Sequence, residues 1–520
     1  MSKQIKKIVI VGGGSAGWMT ASTFIARLPG RDITLIESPN IPTVGVGEST
    51  LGFINEWIRL LGIKDQEFMK HCDASYKLSI RFTDFYRKGA GSFHYPFGGI
   101  NLDGNHSDKN DWYFKKMFFP ETPVSDYADC IYPIMSLVNQ NKISDKRDIV
   151  PGYSIENDCA YHFDASKFGQ WLKDNYSIPK GVKHISAEVK DIHTDEDGIK
   201  KLILDSGEEI TADLFVDCTG FRSVLYSKMD VPFISMADML PNNSAWATQV
   251  PYTDKKNQLV GYTDGHAIDN GWVWNIPLWS RIGTGYVFSD KYIDDDGALN
   301  EFKEHLKQKN LYNENLQFKK LKFRVGIYKK LWYKNVVPIG LSAGFIEPLE
   351  SNGLFSVHMF LSKLIRVLDR VPEAYVSQID KDGYTYECRN IFKNFCEFVA
   401  LHYALSHRDD TKYWRDVGSR EYTQDFYDVS KTHNSAFLNT TSSRYNNFYC
   451  DNGGINCIAT GLNFFATDAN ALDQYDYNEQ SKKDWLWAAH KLTQKRDLWV
   501  KLVKDEPYLY DYLKEKIYNE

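Results

Sequence analysis

Apolar and polar positions along the chain already outline most of its elements. Residues 5–11, strongly apolar from Ile8 to Val11, read as a short buried strand, residues 12–15 as a tight turn, and residues 16–28 as a helix. Pro29 and Gly30 then punctuate the chain before a second strand, residues 33–36, which ends in Glu37. This is a strand–helix–strand opening. Helical spacing follows at Ile54, Trp57, Ile58 and Leu61, and after it Tyr76, Leu78, Ile80 and Phe82 alternate, predicting a strand whose other, half-exposed face carries Lys77, Ser79 and Arg81. Residues 86–125, rich in Gly, aromatics and Asp, read as long loops.

Further on, the pattern predicts a helix near residues 165–175, alternating strands over residues 182–204 around a turn at 195–198, and a buried strand, ADLFVDCTG, over residues 212–220. Strands are expected at residues 271–277, 283–288 and 321–327, with a helix at 299–309 between them. A strand at residues 336–339, a loop at 340–351 and a helix at 354–368 come next, and from Tyr384 the chain is helical or irregular. No repeat or low-complexity linker separates these pieces, so they are expected to interleave.

Composition narrows the class. At 520 residues the chain exceeds the usual domain length of roughly 100–200 residues, which predicts two to four domains or one elaborated fold. With 43% hydrophobic residues it can bury a large core, and 14% aromatic residues exclude a disordered chain. A net charge of -6 gives no electrostatic case for nucleic acid or an anionic membrane. The eight cysteines show neither CxxC nor zinc spacing, which suits reduced thiols and a cytoplasmic setting. Lysines 3, 6 and 7 precede an uncharged run from Ile8 to Ala26, but Gly12, Gly13, Gly14 and Ser15 break it, so it is read neither as a signal peptide nor as a membrane span.

The chemistry begins at Gly12, Gly14 and Gly17, which form GxGxxG between a strand and a helix, with Gly13, Ser15 and Ala16 inside the motif and Glu37 twenty residues beyond it. The first glycine permits the turn, the second lets backbone approach a diphosphate, the third packs helix on strand, and Glu37 can accept hydrogen bonds from a ribose diol. The plain alternative is a glycine-rich turn that binds nothing. FAD is favoured over a nicotinamide dinucleotide because the later D-C-T-G strand end resembles the second dinucleotide-side strand of flavoprotein monooxygenases. Gly45, Gly47, Glu48 and Ser49 form a further glycine loop that can approach a flavin.

Two motifs then point the same way. Trp272, Trp274, Ile276 and Pro277 read W-V-W-N-I-P, a strand pattern that sets both indoles on one face. Phe345, Pro348, Ser351 and Gly353 stand in GFIEPLESNGL. Two core tryptophans would explain the first alone. Together they resemble the WxWxIP and FxxPxxSxG signatures of flavin-dependent halogenases, and the resemblance extends to residues 8–17, 44–50, 76–82 and 213–223 and to His402, Tyr403, Arg408, Asp410 and Trp414. Lys77 in K-L-S-I-R-F and Glu350 just before Ser351 make the chain similar to the tryptophan-halogenase branch. Without the resemblance, Lys77 would read as a solvated strand residue and Glu350 as a charge at the start of the following helix. In the family's pattern both stand at catalytic positions.

The resemblance implies an α/β fold: an FAD-binding, Rossmann-like core of flavoprotein-monooxygenase type, with an interleaved β-sheet substrate region and a mainly helical C-terminal part. The expected divisions are 1–75 and 161–235 for FAD, 76–160 for the catalytic-lysine strand and substrate loops, 236–335 for the WxWxIP sheet, 336–370 for FAD and halide, and 371–520 for substrate. The resemblance further implies that a separate flavin reductase supplies FADH2, that O2 converts it to a flavin C4a-hydroperoxide, and that halide attacking the distal oxygen yields hypohalous acid that travels through a tunnel. Lys77 then holds the oxidant by hydrogen bonding or as a haloamine, while Glu350 polarises it or removes the ring proton of an electron-rich arene, such as an indole, a tryptophan-like molecule or a phenol. Cofactor contacts are expected at Gly12, Gly13, Gly14, Ser15, Ala16, Gly17, Glu37, Gly47, Val189, Gly340, Leu341 and Leu354, with Trp272 and Trp274 shielding the flavin.

Two departures bear on specificity. Backbone amides at Asn352 and Gly353 suit a halide, but the family usually has threonine at Asn352, so chloride, bromide and iodide all stay open. Tryptophan enzymes carry H-x-F-G in the loop over the indole; aligning on Phe97 and Gly98 puts Tyr95 where that histidine stands, and the grip on an amino-acid substrate is not found between residues 445 and 465. Tyr95 and Phe97 are the expected pocket residues. No metal is expected, and a homo-oligomer is compatible with the sequence. The rivals are a flavin-dependent aromatic hydroxylase, which the WxWxIP wall disfavours, and a non-catalytic flavin-binding protein, which leaves the second motif unexplained.

Overall fold

The computed structural model of the chain describes residues 5–41, 47–101, 112, 115–116, 118–369, 375–420, 452–463 and 479–520. Two compact units emerge, each assembled from three stretches of chain: Met1–Ala74, His162–Asn243 and Leu321–Lys393 in the first, and Ser75–Tyr161, Ser244–Lys320 and Asn394–Glu520 in the second.

The first unit is built on a five-stranded parallel sheet in the order Val336–Pro338, Leu214–Asp217, Lys7–Val11, Asp32–Glu37, Lys183–Ser186. Four of its strands are almost continuously apolar and buried because both faces of a parallel sheet are covered, while the edge strand Lys183–Ser186 is polar and partly exposed. Lys7–Val11 lies at the centre, with Ile8 opposite both Ile33 and Leu214. The chain therefore leaves the central strand toward one side and later returns on the other, which makes the carboxyl end of that strand a switch point where ligands bind in such sheets. The helix Ser15–Arg27 starts there and buries Gly17 to Phe24.

The second unit holds a mainly antiparallel sheet in the order Ser244–Pro251, Arg281–Phe288, Gly271–Pro277, Tyr262–Ile268, Ser79–Thr83, Ser92–Pro96, with Lys319–Lys322 at the edge beside Ser244–Pro251. Tyr262–Ile268 and Ser79–Thr83 run parallel. Tyr286, Phe288 and Val273 pack against Ala298, Phe302 and Leu306 of the helix Asp295–Gln308. That helix starts four residues before the expected position because the Asp294 carboxylate accepts from the Gly297 amide at 2.8 Å.

Several expectations need correction. The strand at residues 76–82 is two, Ser75–Lys77 and Ser79–Thr83, and its polar face is not half-exposed there: Lys77 and Ser79 are both 0% exposed. Ser92–Pro96 is a strand within the segment read as loops, its register set by Ile80 opposite Tyr95. The single strand at residues 321–327 is likewise two, Lys319–Lys322 and Gly326–Tyr328. Among the strands not anticipated are Ser244–Pro251 and Tyr262–Ile268, and the second, YTDGHAI, is too polar to signal itself. Cross-strand pairing holds it, with Arg81 Nε donating to Asp264 Oδ1 at 2.9 Å and Arg81 Nη1 to the Tyr262 hydroxyl at 2.8 Å.

The late motif residues fasten this sheet. Arg408, its side chain fully buried, makes a two-pronged pair with Asp410 at 2.9 and 2.7 Å and lies 4.7 Å over the Trp414 ring. Trp414 donates to the Ile268 carbonyl at 2.7 Å and Thr411 to that of Asp269 at 2.7 Å, pinning the helix Lys412–Gly418 to the hairpin that carries the two tryptophans. Among the described residues no helix is long and apolar enough to cross a membrane and no cluster suits a metal.

Candidate active site

In the first unit the sheet's switch point is shaped by glycines. Gly12 has φ +117°, and a methyl group there would lie 2.3 Å from the Cys218 carbonyl oxygen; one on Gly17 would lie 1.8 Å from that of Gly12. Both must be glycine for strand and helix to meet. A methyl group on Gly14 would meet nothing within 4 Å, and Gly14 caps the helix Ser15–Arg27 without a side-chain hydrogen bond. Open ground thus lies before the first amides of a helix, which is what a diphosphate requires. The Ser15 hydroxyl is turned elsewhere, donating to the Ala165 carbonyl at 2.9 Å. This chain's residues therefore fit the dinucleotide half of FAD.

The remaining candidates of this half belong to the same unit. A methyl group on Gly340 (φ +67°) would lie 2.9 Å from the Ala16 side chain, so the turn with exposed Leu341 abuts the motif. Leu354 is buried on the helix Gly353–Leu368, which packs against Ser15–Arg27. Val189 opens the strand Val189–Asp195 two residues after Ala187, whose amide donates to the Glu37 carbonyl at 3.0 Å. Gly47 has φ +87°, while Gly45 lies outside the described residues. The D-C-T-G strand end is organised by buried Asp217, which accepts from the Thr219 hydroxyl, the Leu225 and Tyr226 amides and the Ser342 hydroxyl at 2.6–3.1 Å.

The second motif lies in the same unit. Pro348–Glu350 forms a short turn in which Glu350 is 0% exposed, and Ser351 follows in left-handed conformation at φ 59°, donating to the Ser49 hydroxyl at 3.0 Å. Glu350 is thus sealed in rather than spread over the start of the next helix. Asn352 precedes the helix Gly353–Leu368 without capping it, its side chain donating instead to the Glu347 carbonyl at 3.2 Å. Buried Glu347 accepts from Asn242 Nδ2 at 2.6 Å, a support for the motif that sequence reasoning missed although Glu347 stands inside the quoted stretch. A methyl group on Gly353 would lie 2.6 Å from Glu48 Oε1, so the two motifs' loops meet here.

The other candidates belong to the second unit. Lys77 Nζ lies 4.9 Å from the centre of the Phe97 ring, within cation–π range. Tyr95 meets Phe97 edge-on at 6.2 Å and Phe398 at 6.0 Å, and a methyl group on Gly454 would lie 2.8 Å from its ring. Lys77, Tyr95 and Phe97 are therefore brought together. Phe398 and Gly454 join them from helices with no distinguishing motif. The neighbouring His94 faces away from this group, with Nδ1 3.0 Å from the Ser79 hydroxyl, and desolvation aided by the Arg81 charge pushes its pKa down to about 3. The Ser75 hydroxyl donates to the Pro277 carbonyl at 2.6 Å, tying the lysine strand to the end of WxWxIP. Trp272 and Trp274 are buried with ring centres 6.3 Å apart, and among the described residues Trp272 Nε1 has no hydrogen-bond partner.

Comparison with known proteins is unambiguous. The family model described as tryptophan halogenase matches residues 7–472. The tryptophan 6-halogenase of Streptomyces albogriseolus is 32% identical over 99% of both chains. Among solved structures, the apo structure of VirX1 superposes with a TM-score of 0.90 at 34% identity over 100% of both chains. A tryptophan 6-halogenase from Streptomyces toxytricini does so with a TM-score of 0.84 at 31% identity, over 98% of this chain and 99% of that one.

Proposed function

The chain belongs to the tryptophan halogenase family, and on that premise we propose that Lys77 and Glu350 are the groups with which it directs halogen onto an electron-rich arene. As a flavin-dependent halogenase it is an oxidoreductase using FAD, O2 and halide. Bound reduced flavin supplies the electrons with which O2 is turned against halide to give an electrophilic halogen. In this reading the cradle of Gly12 to Gly17, with Glu37, Gly47, Val189, Gly340, Leu341 and Leu354, holds the cofactor. The backbone at Asn352 and Gly353 receives halide, and Trp272 and Trp274 keep the arene from the flavin. Lys77 holds the electrophile by hydrogen bonding, and Glu350 takes the ring proton.

One observation carries the assignment: Lys77 and Glu350 are both 0% exposed. Burying an ionisable side chain costs free energy that a solvated lysine or glutamate would not incur, and such groups cluster where chemistry needs them. Phe97 and Tyr95 beside Lys77 suit a flat arene. Two of the named relatives are tryptophan 6-halogenases; with Tyr95 at the histidine position, indoles and phenols are proposed alongside tryptophan. Reduced flavin comes from a separate reductase. Seven cysteines among the described residues are free and buried, which suits the cytoplasm.

The test is incubation with FAD, a flavin reductase, NADH, O2, each of chloride, bromide and iodide in turn, and a panel of indoles and phenols, read by mass spectrometry. Lys77→Ala is expected to lose halogenated product by about a hundredfold or more while reduced flavin is still consumed. Full halogenation by the variant would remove Lys77 from the mechanism. Product that is hydroxylated and never halogenated would turn the reading to an aromatic hydroxylase.

A further inference from the structure

A polar cluster surrounds Glu37. Its Oε2 accepts from Lys173 Nζ at 2.9 Å and from His184 Nε2 at 3.0 Å. Both donors rest on one platform, with Lys173 Nζ 5.7 Å from the Trp18 ring centre and the His184 ring 5.5 Å from it. The group is largely enclosed, with side chains of Glu37, Lys173 and His184 exposed by 23, 19 and 18%. Lys173 reaches it from an unusual element, because the helix Ala165–Trp171 widens into a π-helix over Leu172–Ser177. Such widened turns are rare and often mark functional positions.

The two oxygens of Glu37 face different surroundings. Both donors converge on Oε2, whereas a methyl group on Gly13 would lie 2.2 Å from Oε1. The carboxylate is thereby held with one oxygen anchored and the other against the glycine loop, beside the open ground at Gly14. His184 acts as a neutral N–H donor, since desolvation and the Lys173 charge both lower its pKa. Lys173 is then the cation that offsets the Glu37 charge, which otherwise faces an incoming diphosphate.

We propose that Lys173 and His184 are positioning residues that fix Glu37 for the 2′-hydroxyl of the adenosine ribose and cancel its repulsion of the cofactor's diphosphate. This rests on the reading of the cradle as an FAD site. A carboxylate locked in place before the ligand arrives loses less freedom on binding, an advantage for a protein that must capture reduced flavin from solution.

The test compares dissociation constants of FAD and of its analogue lacking the adenosine ribose 2′-hydroxyl, by fluorescence titration or calorimetry, for wild type, Lys173→Met, His184→Phe and Lys173→Arg. Wild type is expected to prefer FAD by on the order of tenfold, as for a hydrogen bond to a charged group. Lys173→Met and His184→Phe should reduce that preference to about twofold, and Lys173→Arg should restore most of it. A merely structural role would weaken both ligands by one factor and leave the ratio unchanged, which would overturn the proposal, as would an unaltered ratio at unaltered affinity. Loss of the preference in Lys173→Arg as well would also count against it. Failure of wild type to bind FAD at all would overturn the flavin reading and this one with it.

Discussion

Gly285 belongs to the tryptophan wall as much as the indoles do. It stands directly across from Trp274, and a methyl group on it would lie 2.2 Å from two carbons of that ring and 2.6 Å from the Trp246 carbonyl oxygen. The second of these neighbours is backbone and cannot swing away. Gly285→Ala is therefore expected to cost about 1–3 kcal/mol and to alter the near-ultraviolet circular dichroism of the indoles; an unchanged spectrum and unchanged urea midpoint would refute the contact. Side-chain alternation was enough to put Trp272 and Trp274 on one face. It could not reveal Gly285, because the facing residue is set by strand register between segments that the sequence alone does not align. The same limit explains Lys77: alternation separates two faces of a strand and does not say that both are covered.

Among elements, the helix Ala165–Trp171 shows what local chemistry can specify. The Asp164 carboxylate accepts from the Ser166 and Lys167 amides at 2.9 and 3.1 Å, satisfying two donors that a helix start leaves open. Asp164→Ala should lower stability by about 0.5–2 kcal/mol, measured as a lower urea midpoint, whereas Asp164→Asn should stay near wild type. Equal losses in both variants would mean that the carboxylate charge, and not the cap, matters. Helices and apolar parallel strands were legible because their signals are local: caps, spacing and continuous apolar runs. Tyr262–Ile268 was not, since Asp264 is satisfied by Arg81 on a strand about 180 residues away. The glycine turn between strand and helix was legible to the residue, while the cluster of Lys173 and His184 was not, for it depends on a fold that gathers them at Glu37.

On the scale of the whole molecule, each unit encloses a histidine that stays neutral. His358 is 5% exposed in the first unit and desolvation pushes its pKa down to about 3; His305, 6% exposed in the second, is pushed to about 3 by desolvation and the neighbouring His266. In the unfolded chain both titrate near 6.5. Between about pH 6.5 and 3 the unfolded state thus binds protons that the folded state refuses, so stability is full above that window and is lost as pH falls through it. Urea midpoints should fall from pH 7 to pH 5, and a flat or rising midpoint would contradict the burial of these rings. The division into two units has a further consequence, for the making of the protein. The chain passes between them five times, after residues 74, 161, 243, 320 and 393, so the parallel sheet begun at Lys7 is not complete until Val336–Pro338 has left the ribosome. At about 5–20 residues per second the early strands wait some tens of seconds for their last partner, with apolar edges uncovered throughout. Slower synthesis at low temperature, or chaperones that bind extended apolar chain, should therefore govern how much active protein a host cell yields, and cutting the gene at either unit's border would leave each product without strands it needs.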